Sequence, residues 1–420
     1  PVTTSTSVVL TDTVAGQTIS FADNLSTPVL TTTAHGYHLE LLGTTTNVSA
    51  TNTATTFLNT GNLVLGNGAG DTLTFAGGLT ATAPAAISAA GTLNTTNTAL
   101  SLGDANTALT LAANLTLDTT GANASAGGSL TLGGLVNGTT ANTESLTLNA
   151  GSTGAVSVVG SMGQTTSLKT LTLTNSNGAV FNAPVSTGTS VVLTDTVAGQ
   201  TISFADNLST PVLTTTAHGY HLELLGTTTN VSDANTATTF LNTGNLVLGN
   251  GAGDSLTFAG GITATAPAAI NAAGTINTTN TAMSLGDANT ALTLAANLTL
   301  NTTGGNASTG GNLTLGGTAN GTTANTESLT LNAGSTGAVS VVGAVGQVTS
   351  LKTLTLTNSH GAVFNAPVST DTSVVLTDTV AGQTISFADN LSTPVLTTTA
   401  HGYHLELLGT TTNVSDANTA

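Results

Sequence analysis

Along this chain apolar residues recur at every second position in short runs: Leu63/Leu65, Leu73/Phe75, Leu100/Leu102, Leu109/Leu111, Leu115/Leu117, Leu130/Leu132, Leu146/Leu148 and Leu171/Leu173, with Thr, Ser or Val between. A period of two puts both apolar side chains on one face of a strand and the hydroxyl residue on the other. The branched Cβ of Thr and Val favours the pleated backbone. The pattern therefore predicts half-buried strands of about four to six residues. Corners such as Asn67-Gly68-Ala69-Gly70-Asp71 separate them, since Gly and Asn tolerate the positive φ of tight turns. Pro28, Pro84 and Pro184 fall at strand beginnings or corners, where a missing N–H does least harm. No apolar stripe of helical period is present.

A longer rhythm lies over this one. Pro1, Pro184 and Pro367 open PVTTSTSVVLTDTVAGQTISF, PVSTGTSVVLTDTVAGQTISF and PVSTDTSVVLTDTVAGQTISF, a period of 183 residues. The chain divides into repeat 1 (1–183), repeat 2 (184–366) and a partial repeat 3 (367–420), with 19 of 183 positions differing between the first two. It starts at Pro1 and stops at Ala420 inside the pattern, which reads as a window from something longer. Near-identical neighbours suit units that stack in line rather than separate beads, and the strand rhythm crosses the repeat boundaries without a linker.

Strand centres come roughly every seven to ten residues, so three strands and three corners use about 23 residues, the size of one turn of a three-sided parallel β-helix. The expected fold is all-β, a β-solenoid of roughly 8 coils per repeat, adding about 38 Å at about 4.8 Å per coil, and about 18 coils over about 87 Å for the chain as one continuous rod. A β-sandwich would carry longer strands and aromatic or Cys core markers; the chain has 3% aromatics, no Cys and no Trp. The expected core is aliphatic.

Composition narrows the function. Only 5% of residues are charged, against about a quarter in an ordinary globular domain. With 2 Lys+Arg, 19 Asp+Glu and a net charge of -17, no phosphate-binding surface can be assembled, which excludes nucleic acid and anionic membranes as electrostatic partners. Hydrophobic residues at 39% are too many for a disordered chain, and no apolar window is long enough for a transmembrane helix. The lack of cysteine fits a bacterial extracellular protein.

Candidate chemistry is thin. Gly66-Asn67-Gly68-Ala69-Gly70-Asp71-Thr72-Leu73 and its copy ending at Asp254-Ser255-Leu256 approximate the calcium nonapeptide, whose Asp and turn carbonyls supply hard oxygen ligands. Asp and Ala-Gly turns make Asp71 and Asp254 the calcium candidates, with Asp104 beside them, and calcium is the one cofactor the pattern admits. Against it, the motif comes once per repeat instead of in series. In His35-Gly36-Tyr37-His38-Leu39-Glu40, strand alternation leaves His38 and Glu40 together, and likewise His221 and Glu223. That is two ligands of an incomplete transition-metal site, and the three tyrosines of these segments suggest a decorated outer face. Catalysis needs clustered carboxylates with a cation, and each full repeat has one Lys (Lys169, Lys352), so no enzyme is expected. Thr pairs such as Thr172/Thr174 and Thr31/Thr33 recur at no fixed interval, which argues against an ice-matching lattice.

The segments Glu144-Ser145-Leu146-Thr147-Leu148-Asn149-Ala150-Gly151, Gly154-Ala155-Val156-Ser157-Val158-Val159-Gly160 and Ser167-Leu168-Lys169-Thr170-Leu171-Thr172-Leu173-Thr174-Asn175 resemble the coils of filamentous-haemagglutinin-like and autotransporter-type bacterial adhesins. The resemblance implies a right-handed parallel β-helix shaft, secretion to the bacterial cell surface, and fibrous or adhesive function toward a host or neighbouring cell. The sequence-level expectation is a non-enzymatic extracellular shaft that stacks on itself, head to tail or laterally, into fibres. The alternative is a calcium-binding surface-layer or matrix module.

Overall fold

The computed structural model describes residues 1–11, 13–121, 126–305 and 309–416. Among them there is no helix, and every pairing between named strands is parallel. The chain falls into two compact units, Pro1–Leu213 and Thr214–Ala420. Each is a three-faced β-solenoid.

In the first unit one face is built, rung upon rung, from Val2–Thr3, Leu25–Thr27, Thr45–Val48, Thr72–Phe75, the ends of Ala86–Asn94 and Ala108–Asp118, Leu146–Asn149, Leu168–Asn175 and the end of Val185–Leu193. A second face runs from Ser7–Leu10 and Val29–Thr32 to Thr55–Thr56, Leu79–Ala81, Leu100–Leu102, Leu130–Leu132, Val156–Val158, Ala179–Phe181 and Thr201–Phe204. The third carries Thr18–Phe21, His38–Leu41, Leu63–Leu65, the starts of Ala86–Asn94 and Ala108–Asp118, Val136–Gly138, a bridge at Met162, and Val185. The same three ladders organise the second unit.

The alternation read from sequence is what fills the interior. Leu73, Leu93, Leu117, Leu148 and Leu173 are all fully buried on successive rungs. Each buried leucine stabilises by about 1.5–3 kcal/mol relative to exposure. The core is not wholly aliphatic, however. All nine phenylalanines except Phe21 are buried, and Phe181 stacks on Phe204 with ring centroids 4.7 Å apart and planes 7° apart. Few aromatics sufficed because every one is spent inside.

Outward positions form columns as well. Thr45, Thr72, Thr92, Thr116, Thr147 and Thr172 stand in register on one face. The intervals between them range from 20 residues (Thr72 to Thr92) to 31 (Thr116 to Thr147), so the irregular spacing in sequence conceals a regular column. Corners absorb the extra residues while the ladder holds its register. Two positions further along, Asn94, Asp118, Asn149 and Asn175 make a polar column, in which the Asn149 amide donates to Asp118 Oδ1 at 3.3 Å. Neutral side chains suit such columns, where like charges would repel rung against rung.

The roughly eight coils expected per repeat come to 7⅔. From Val2–Thr3 to its counterpart at Val185 the chain takes 23 steps from face to face: twenty along the succession of strands, two more because Ala86–Asn94 and Ala108–Asp118 each serve two faces, and one at the Met162 bridge. The sequence boundary between repeats 1 and 2 is no structural boundary within the first unit, because Met162 bridges to Val185 and Leu171 pairs with Val191 across it. The division between compact units lies at Leu213/Thr214 instead.

Candidate functional site

Asp71 follows a corner opened by Gly66 at φ 74°. Its side chain is 6% exposed, and Oδ2 accepts the N–H groups of Asn67 and Gly68, each at 2.8 Å. The backbone continues the clasp: Asp71 N–H donates to Gly68 at 3.1 Å, and the Asp71 carbonyl accepts from Thr92 on the next rung at 2.8 Å. Asp254 repeats this with Asn250, Gly251 and Thr275 at the same distances. The carboxylate thus closes its own turn. A calcium ion takes six to eight oxygens, and this corner brings one carboxylate, already occupied by backbone donors.

Asp104 and Asp287 are exposed corner residues on the same principle. Asp104 Oδ1 accepts the Asn106 N–H at 2.9 Å, and Asp287 Oδ1 accepts from Asn289 at 2.8 Å and from the Thr290 hydroxyl at 3.0 Å. The Asn106 and Asn289 N–H groups, helped by the hydroxyls of Thr107 and Thr290, hold both carboxyls below the ordinary Asp value. Hydrogen bonds to the charged form lower a carboxyl in this way.

His38 and Glu40 do share the outward face of His38–Leu41, with Leu39 and Leu41 fully buried behind them. The strand begins at His38, so His35 sits in the preceding turn, and strand alternation does not govern it. His38 Nδ1 accepts the Asn62 N–H at 2.8 Å, and His221 Nδ1 accepts the Asn245 N–H at 2.7 Å. A ring that accepts at Nδ1 carries its proton at Nε2 and has no lone pair to offer a metal. These histidines tie one coil to the next. In the third copy His401 Nδ1 lies 3.3 Å from Asp378. Among the described residues no three His, Asp or Glu side chains gather to hold a metal ion.

The decorated outer face suggested by the tyrosines is corrected. Tyr37 and Tyr220 are fully buried, their phenol oxygens accepting the N–H groups of Thr33 and Thr216 at 3.3 Å. Gly36 and its neighbours form the turn that lets this ring fold inward.

Sequence reading passed over one pair of buried acids. Glu144 is 5% exposed, and its Oε2 accepts from Thr139 and Thr140 at 3.1 and 3.2 Å; Glu327 accepts the Thr322 hydroxyl at 2.7 Å and the Thr323 N–H at 3.2 Å. The preceding Gly-Thr-Thr corner was the available signal, since a turn with free N–H groups four or five residues before an acid can recruit it. Chemically, the carboxylates in these corners bind the chain's own backbone. No protein-family model matches this chain, nor does any curated protein or solved structure.

Proposed function

We propose that the chain is a non-enzymatic structural shaft of an extracellular fibre or cell-surface adhesin, exposed at the surface of a bacterial cell. The observation that carries the reading is the ladder that runs through the repeat boundary, Leu148–Leu173 and Leu171–Val191, without a break for a separate domain. Such a body grows in length by adding copies while each copy buries the edge of the last. The acids support the same reading: Asp71, Asp254, Glu144 and Glu327 serve corners, and Lys169 and Lys352 are exposed single cations.

Antibody raised against the purified chain tests the location: it should label intact source cells, and labelling only after permeabilisation would overturn the reading. A calcium-binding surface-layer module is the rival. The rival predicts a melting temperature that falls on adding chelator, whereas a shaft held by its ladders melts unchanged.

A further inference from the structure

The repeat does not contain a whole number of turns, and both units show the result. In the first, Val2 begins the ladder that continues through Leu25, whereas its counterpart Val185 stands on the ladder of Val136 and Met162. Ile19 pairs with Leu39 on the third face, while its counterpart Ile202 pairs with Ala179 on the second. In the second unit, Leu222 and Glu223 lie on the ladder of Leu246 and Ile270. Their counterparts Leu405 and Glu406 lie on the ladder of Ile385 and Ala362. Thr229 and Thr412 are parted in the same manner, on the ladders of Leu256 and Leu391. Each copy is thus turned by one face relative to the copy before it.

We infer that tandem copies of this repeat offer every surface feature on the three faces in succession, so that the shaft is an interaction surface for discrete partners approaching from all sides and not for an extended flat lattice. At 7⅔ turns a copy advances about 37 Å along the axis. A feature returns to its original face only after three copies, 549 residues and 23 turns. The strip of Thr18, His38, Ser20 and Glu40 on one repeat is an example, since its counterpart Thr384, His404, Ser386 and Glu406 repeats the same pairs on another face.

The threonine column supplies the second argument. A flat lattice such as ice or a mineral needs one row of groups repeating without limit along one face. Here the column ends after Thr172, whose next partner is Val192, and in the second unit the column Thr228, Ser255, Thr275, Thr299, Thr330 and Thr355 ends at Val375. One face therefore never carries the row through two consecutive copies. A partner that recognises one patch of the repeat meets no such interruption, because each patch is complete within its copy. Neighbouring partners are displaced around the axis as well as along it, which relieves crowding when the partner is wider than the axial step.

The inference rests on the ladder registers and goes beyond the shaft reading, whose failure in the labelling of intact cells would leave it standing. The full chain lacks cysteine, so pairs introduced at outward, equivalent positions are unique attachment points. Glu223→Cys with Glu406→Cys reports on the second unit, and Ser26→Cys with Ser209→Cys reports on the first should the other pair fail to fold. With gold clusters attached, cryo-electron microscopy should place the two labels of a pair on different faces, about a third of a turn apart. Labels lying on one line parallel to the axis would overturn the inference. Biotin on a short linker at the same cysteines should let two monovalent streptavidins bind at once by native mass spectrometry; a limit of one would also overturn it.

Discussion

Gly91 lies against the Asp71 backbone so closely that a Cβ at that position would overlap the Asp71 carbonyl oxygen, and its φ is 81°. The register of Ala86–Asn94 shifts between Ala89 and Gly91 as the strand passes from one face to the next. Glycine is the residue that lets a strand turn this corner without a loop. Gly91→Ala should lower stability by about 2 kcal/mol or more, combining left-handed strain with a backbone clash. Gly199→Ala is the control: φ is 78° but no atom lies within 4 Å of the added methyl, so about 1 kcal/mol of strain alone is expected. Thermal melts of the two variants check the difference, and equal losses would refute the clash.

Removing the Asp71 carboxylate leaves two N–H donors without their acceptor. Asp71→Ala should destabilise the first unit by about 1–3 kcal/mol. Asp71→Asn keeps an oxygen for Asn67 and Gly68 and should lose clearly less. If calcium held this corner instead, both substitutions would abolish a calcium-dependent rise in melting temperature that the unaltered chain would have to show. Calorimetry with calcium and with chelator reads both.

The repeat has made one substitution already. Asp118 Oδ1 accepts the Thr120 N–H at 2.8 Å and hydroxyl at 2.7 Å, and Asn301 Oδ1 accepts from Thr303 at 3.0 and 2.8 Å. The oxygen matters here and the charge does not. Asp118→Asn should change stability by less than about 0.5 kcal/mol, whereas Asp118→Leu, which removes the acceptor from the column, should cost more in the same melt.

Acid should act through the exposed corners. Asn24, Asn106 and Asn289 N–H groups lower Asp23, Asp104 and Asp287, and the Thr236 hydroxyl foremost lowers Asp233. A carboxyl lowered on folding contributes stability that is fully present above its unfolded value and lost as pH falls through the folded one. Melting temperature should therefore stay level from neutral pH toward the ordinary Asp value of 3.8 and decline below it. Replacing Asp104 and Asp287 with Asn should make that decline shallower.

Phe181 and Phe204 test the interior. Phe181→Ala removes one ring of a buried stack and should cost about 3–5 kcal/mol, with Phe181→Leu losing less. A melt that shows no difference between them would mean that the interior collapses around the gap.

The inward sets were legible residue by residue: Leu63, Leu65, Leu130 and Leu132 face the core as their alternation requires. Asp71 was singled out correctly as a special corner residue, although the chemistry of its pattern pointed to a cation and its geometry shows a turn clasp. His38 and Glu40 were placed on one face, but the bond from Asn62 that occupies His38 comes from 24 residues away. Nothing local announces such a partner.

The sequence by itself determined the strand faces, the repeat and the neutral columns, because side-chain alternation and corner chemistry act over two to five residues. Tertiary structure alone decided which rung meets which. Coils of unequal length are brought into register by hydrogen bonds between distant segments, with the surplus residues taken up at corners. That registration buried Tyr37, aligned Thr72 with Thr92 and Thr116, and set Val185 on Met162 instead of on the face held by Val2. A 183-residue period is a property of the sequence; the third of a turn left over follows from the number of strands that the ladders admit within it.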